Sequence, residues 1–255
     1  MGILDLFKLD GKAAIITGCG RGLGLGIAQG LAEAGADIMG VGHAPDAPAC
    51  RKAVEDCGKK FHYFSADLAS QKSIPQILEE TLKAFGRADI LVNNAGTIKR
   101  ADSVDFTEED WDEVMNVNLK SLFFLSQAAA KQFIKQGSGG KIIHIASLLS
   151  FQGGIRIPSY TAAKSGVKGL AMLMANEWAK YGININAIAP GYFETDNTSA
   201  LRADQQRRAE ITSRIPAGRW GVPRDLAGAA VFLASPASDY LNGFTIAVDG
   251  GWLGR

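Results

Sequence analysis

Apolar and β-branched residues fall in short runs separated by stretches of helical length. Ala13 to Thr17, Asp37 to Gly42, Phe61 to Ser65, Ile90 to Asn93, Lys141 to Ala146, Ile183 to Ala189 and Thr245 to Val248 read as strands, since they are short apolar or β-branched runs. Between most of them, helices are predicted over 22–34, 71–85, 107–136, 160–181 and 223–234. Thr107 ahead of Glu108, Glu109 and Asp110 marks one helix start, where acidic residues complement the open amides of the first turn. Strands alternating with helices argue a parallel sheet covered on both faces. The expected fold class is α/β: a single-domain, Rossmann-like doubly wound parallel sheet over residues 1–255. The stretch 192–222, rich in arginine and acid with no clear sheet strand, predicts a substrate lid or a segment with helices of its own.

Composition narrows the partners. With 255 residues, 47% hydrophobic and 21% charged, the chain can bury one large core. A net charge of +1 supplies no basic field for nucleic acid, so a small-molecule partner is expected. Met1 to Lys8 lacks the apolar stretch of a leader, and no segment approaches the ~20 apolar residues of a membrane span, so a cytoplasmic protein without a membrane partner is expected. Cys19, Cys50 and Cys57 have no paired spacing, and His43, His62 and His144 are scattered, which predicts neither a disulfide framework nor a metal site.

The chemistry concentrates at strand ends. Thr17-Gly18-Cys19-Gly20-Arg21-Gly22-Leu23-Gly24 stands where the first strand meets its helix, a place where backbone amides can cradle a pyrophosphate. Asn93-Asn94-Ala95-Gly96, Ser147 and Pro190-Gly191 end three further strands, and in a doubly wound sheet such ends line one ligand crevice. Tyr160 and Lys164 are four positions apart, on one face of a helix. A phenol titrating near 10 needs about 2 units of lowering, or roughly 3 kcal/mol, to serve as a base at neutral pH. An ammonium at about 4 Å offers roughly 4 kcal/mol at intermediate dielectric, so the lysine is expected to lower the Tyr160 pKa.

These motifs resemble the short-chain dehydrogenase/reductase family over essentially the whole chain. The family's T-G-x-x-x-G-x-G corresponds to Thr17 through Gly24, its N-N-A-G to Asn93 through Gly96, and its catalytic tetrad to Asn118, Ser147, Tyr160 and Lys164. The resemblance implies that Tyr160 is the general base in oxidation and acid in reduction. It also implies that Lys164 lowers the Tyr160 pKa and bonds the nicotinamide ribose, that Ser147 orients the substrate oxygen, and that Asn118 holds a water behind Lys164. Cofactor contacts are expected from Thr17, Gly18, Arg21, Gly22, Leu23, Gly24, His43, Asp67, Leu68, Asn94, Ala95, Gly96, Tyr160, Lys164, Pro190, Gly191 and Thr195, with Asp67 at the adenine amine. A homo-oligomer, a tetramer in the family, is implied, with the helices over 107–136 and 160–181 as its contact.

Cofactor choice turns on the end of the second strand, where an acidic residue would favour NAD and a nearby arginine NADP. Val41-Gly42-His43-Ala44 carries no acid there. His43 either meets the adenosine ribose or phosphate or is an exposed loop residue, and Arg21 either serves a 2′-phosphate or faces solvent. The expected cofactor is NAD, with NADP possible, because Ser150 to Arg156, Leu173 to Lys180 and Arg214 to Gly221 resemble the branch of the family acting on 2-dehydro-3-deoxy-gluconate and 2-deoxy-gluconate in uronate and pectin breakdown. Substrate contacts are expected from Ser147, Gln152, Arg156, Arg202 and Arg219, whose guanidinium and amide groups suit a sugar-acid carboxylate. The alternative is an NADPH-dependent 3-oxoacyl thioester reductase. A non-catalytic dinucleotide sensor would be expected to lack one of the four catalytic residues, and all four are present.

Overall fold

The computed structural model describes residues 2–255. Strands β1 (Ala13–Thr17), β2 (Asp37–Gly42), β3 (Phe61–Ser65), β4 (Ile90–Asn93), β5 (Gly140–Ile145), β6 (Ile183–Pro190) and β7 (Thr245–Val248) form one sheet. Its order is β3-β2-β1-β4-β5-β6-β7, and every neighbouring pair is parallel. The order reverses between β1 and β4, and ligand crevices form at such a switch point.

The helices are α1 (Gly22–Glu33), α2 (Pro48–Glu55), α3 (Ile74–Phe85), α4 (Glu108–Met115), α5 (Ser121–Gln136), α6 (Pro158–Trp178), α7 (Ser199–Ala203), α8 (Gln205–Arg214) and α9 (Ala227–Ala234). Alternate residues of each central strand feed two cores. Ile15, Leu91, Ile142 and Ile185 pack with Leu125, Phe133, Val167 and Met174 on one face. Ala14, Ile16, Val92, Ile143 and Ile188 pack with Ile27, Leu31, Ala230 and Leu233 on the other. Burial on both faces explains why these strands are apolar without alternation.

The helix expected over 107–136 is two α-helices joined by a π-helical segment, Asn116–Lys120. Thr107 does cap its start, accepting from the Asp110 N–H at 3.2 Å. Helices over 71–85 and 223–234 open with a 3-10 turn, and the one expected over 160–181 starts earlier, at Pro158, and closes with a 3-10 turn after Trp178. Helix α2 lies in a stretch without an expected element, because eight residues anchored by Cys50 and Val54 alone give too short an apolar stripe to read. The lid segment carries α7 and α8, and beneath it Leu148, Ile211, Ile215, Trp220 and Trp252 form a small separate core. Among the described residues no helix is long and apolar enough to cross a membrane.

Candidate active site

A cleft of about 940 Å³ runs along the sheet edge at the switch point. Gly18, Arg21, Gly22, Leu23 and Gly24 line it at one end, where α1 presents first-turn amides that lack helical acceptors. Gly18 and Gly22 hold φ of 66° and 54°, and a Cβ on Gly24 would collide with the Gly18 carbonyl and the Asn94 amide. Thr17 lies under this loop and is 2% exposed. Its Oγ1 accepts the N–H groups of Asn94 (3.0 Å) and Ala95 (2.9 Å), while Asn94 Nδ2 donates to the carbonyls of Thr17 (2.9 Å) and Gly18 (3.1 Å). Two loops far apart in sequence are thereby locked into one cradle, with glycine where side chains would fill it. That cradle fits the pyrophosphate of a dinucleotide.

Asn94, Ala95, Gly96, His43, Asp67, Leu68 and Thr195 also line the cleft. Asp67 Oδ1 accepts the Ala69 N–H at 2.8 Å, and Leu68 is buried. Pro190 and Gly191, at the end of β6, are not among its lining residues. Gly191 instead lets the chain pass Asp249, whose Cα would stand 2.6 Å from a Cβ there.

At the other end of the cleft, Pro158 in the first turn of α6 presets its backbone, so Tyr160 and Lys164 follow one turn apart. Lys164 is 4% exposed; its Nζ lies 5.6 Å from the Tyr160 ring centroid and donates to the Ile145 carbonyl at 2.5 Å. Ser147 follows β5 and accepts the Leu149 N–H at 3.2 Å; its hydroxyl stands near enough to the Tyr160 phenol to favour the charged form. Asn118 sits within the π segment, 1% exposed. Its Oδ1 accepts the Thr97 N–H and its Nδ2 donates to the Thr97 carbonyl, which ties the π segment to the turn after β4.

The expected lowering of the Tyr160 pKa is overturned. Burial pushes the phenol above its ordinary value, and the Ser147 hydroxyl and the Arg100 charge pull it back only in part. Lys164 is itself pushed down to about 8 by burial. Behind this pair His144 is fully buried, its Nδ1 3.2 Å from Asn93 Nδ2. Asn93 Nδ2 also donates to Ser126 Oγ at 2.9 Å. Burial, and secondarily the Lys164 charge, pushes His144 down to about 3.

The residues expected at the substrate are differently placed. Arg219 is committed to Asp225 through two contacts of 2.6 and 3.0 Å, and the cleft lining does not include it. Arg156, at φ 63°, meets Asp102 through Nε at 3.1 Å, both side chains being exposed. Gln152 Oε1 accepts from Trp252 Nε1 at 3.2 Å. Arg202 Nη2 donates to the Thr195 carbonyl at 3.0 Å, and its buried Nε has no acceptor. Arg100 is not among the residues expected at the substrate, yet its Nη2 donates to the Asn197 carbonyl at 3.2 Å and its charge acts on Tyr160. Arg21 Nη1 meets Asp196 Oδ2 at 3.0 Å. Three consecutive lid residues, Thr195, Asp196 and Asn197, are thus each held by an arginine from a different part of the chain. No local signal announces the Arg21 and Arg100 contacts, because those partners meet only in the folded chain.

Comparison with known proteins agrees with this architecture. The sequence model of a family described as enoyl-(acyl carrier protein) reductase matches residues 18–253. The 2-dehydro-3-deoxy-D-gluconate 5-dehydrogenase of Escherichia coli (strain K12) is 62% identical over 99% of this chain and 100% of its own. The enzyme of the same name from Bacillus subtilis (strain 168) is 53% identical, with both chains covered in full. The crystal structure of a gluconate 5-dehydrogenase from Burkholderia cenocepacia J2315, in complex with NADP and tartrate, superposes with a TM-score of 0.94 at 43% identity, again over the whole of both chains. The glycine cradle, the Asn-Ala-Gly turn and the Ser-Tyr-Lys group on one edge of a parallel sheet, together with these matches, place the chain in the short-chain dehydrogenase/reductase family.

Proposed function

We propose that this chain transfers a hydride between a nicotinamide dinucleotide and a secondary alcohol or ketone of a hexonic sugar acid, of the 2-dehydro-3-deoxy-gluconate or 2-deoxy-gluconate type. The observation that carries the reading is the Tyr160 phenol, with Lys164 beside its ring and Ser147 acting on it, at the end of a cleft that begins in a pyrophosphate cradle. The bound nicotinamide would supply the hydride acceptor in oxidation and the donor in reduction. In oxidation Tyr160 takes the substrate hydroxyl proton, and in reduction it returns one to the forming alkoxide. Its raised pKa suits the acid role and demands help in the base role. Ser147 donates to the oxygen on which charge develops, where a fixed donor is worth most. Lys164 holds the positive charge beside the phenol. Asn118 fixes Thr97, and with it the wall of the cleft.

NADP(H) is proposed as the preferred dinucleotide, in place of the NAD expected from sequence. No carboxylate stands in Gly42-His43-Ala44 to repel a 2′-phosphate, and the exposed Arg21 lines the same end of the cleft. The exposed Phe124, Met172 and Leu173, on α5 and α6, support self-association through the helices expected to carry it.

A 3-oxoacyl thioester reductase remains the second reading; the matching family's description names an acyl-carrier-protein substrate, of the enoyl and not the 3-oxo kind. Initial rates of purified protein with both dinucleotides, both sugar acids and an acetoacetyl thioester separate the two. Sugar-acid turnover that Tyr160→Phe abolishes is the expected result. Activity on the thioester alone would overturn the proposal.

A further inference from the structure

Trp252, near the C-terminus, is 5% exposed and touches three segments. Tyr192, after β6, packs against it with ring centroids 4.8 Å apart, and the Arg214 guanidinium, ending α8, lies 4.2 Å from its ring centroid. Its Nε1 donates to Gln152 Oε1 at 3.2 Å. An indole nitrogen is only ever a donor, whereas a glutamine amide can turn either end to a neighbour. Trp252 therefore selects one orientation, with the Gln152 oxygen toward the indole and the amino group away from it. Among the described residues nothing accepts from Gln152 Nε2, and the residue is only partly buried. The loop carrying Gln152 leaves Ser147 through Leu148, and Leu148 is buried in the same small core as Trp252.

We propose that Trp252 is a positioning residue for substrate selection: it holds Gln152 so that the amide presents N–H donors, rather than its oxygen, to the acid. The inference rests on the sugar-acid reading. A carboxylate is acceptor-only when ionised, so a reversed amide would oppose oxygen to oxygen. The arrangement also gives Gln152 a specificity role that its exposure alone would not reveal.

Three variants test this in steady-state kinetics with 2-dehydro-3-deoxy-gluconate, each paired with a thermal melt. Trp252→Phe keeps a ring for Tyr192 and Arg214 and removes the N–H. Gln152→Glu keeps an acceptor for the indole and replaces the amino group with an anionic oxygen. Gln152→Leu removes both. Trp252→Phe is expected to raise KM for the acid about five- to tenfold while kcat and the dinucleotide KM stay within about twofold. Gln152→Glu should raise KM about tenfold or more through like-charge repulsion. Trp252→Phe placed on Gln152→Leu should add nothing further. An unmoved acid KM in either Trp252→Phe or Gln152→Glu, or an equal rise in the dinucleotide KM, overturns the proposal; so does a full Trp252→Phe effect persisting on Gln152→Leu. If Trp252→Phe does not fold, Trp252→Tyr, which keeps a ring for Tyr192 and Arg214 and carries its donor elsewhere, takes its place with the same expected and overturning results. Wild-type protein inert toward the acids overturns the sugar-acid reading and this inference with it, whereas active wild type with unmoved variants overturns the inference only.

Discussion

Asn118 is bonded twice to one residue, Thr97: its Oδ1 accepts the Thr97 N–H and its Nδ2 donates to the Thr97 carbonyl, both at 2.8 Å. Truncation would leave two partly buried backbone groups unpaired, at about 1–3 kcal/mol each when fully desolvated. Asn118→Ala is therefore expected to lower Tm by about 4 °C or more and to reduce kcat. Asn118→Asp, which keeps the acceptor but not the donor, should fall between the two in Tm. Thermal melts of the three proteins check the order, and an unchanged Tm in Asn118→Ala would show that this contact is not structural.

Tyr160→Phe removes the proton carrier while leaving the ring over which Lys164 sits. A loss of about 10²–10⁴ in kcat is expected, the range for a positioned acid or base. Dinucleotide affinity, measured by fluorescence titration, should change little. A variant that kept wild-type kcat would remove Tyr160 from the chemistry.

His144 makes stability depend on acid. Its folded pKa, about 3, lies below its ordinary value near 6.5. Between those two values the unfolded chain binds a proton that the native state refuses, so stability is whole above about pH 6.5 and falls as pH drops toward 3. One such proton corresponds to a slope of about 1.4 kcal/mol per pH unit. His144→Gln should flatten the decline in Tm between pH 6.5 and 4 relative to wild type. Parallel curves would refute it.

Arg21 tests the dinucleotide preference. Its pair with Asp196 joins two side chains that are 81% and 68% exposed, and such surface pairs contribute about 0–1 kcal/mol. A 2′-phosphate can therefore displace Asp196 at little cost. Arg21→Ala is expected to raise the NADP KM about tenfold and leave the NAD KM within about twofold. Equal rises for both dinucleotides would assign Arg21 to the lid rather than to the phosphate.

Local chemistry, legible in the chain read alone, dictated the strands, most of the helices and the meeting of the glycine loop and the Asn-Ala-Gly turn along one sheet edge, whereas Pro190-Gly191, expected there too, does not line the cleft. Those features depend on residues within a turn or two of one another, and a parallel sheet gathers its strand ends by topology. The π segment that seats Asn118 stayed hidden, because Thr97 binds it from 21 positions away. So did the partner of Arg156, which comes from another loop, and the bond from Trp252 that orients Gln152 across 100 positions. The direction of the Tyr160 shift was likewise decided by tertiary structure. Spacing placed a charge beside the phenol, but desolvation is a property of everything packed around it, and in this fold desolvation is the larger effect.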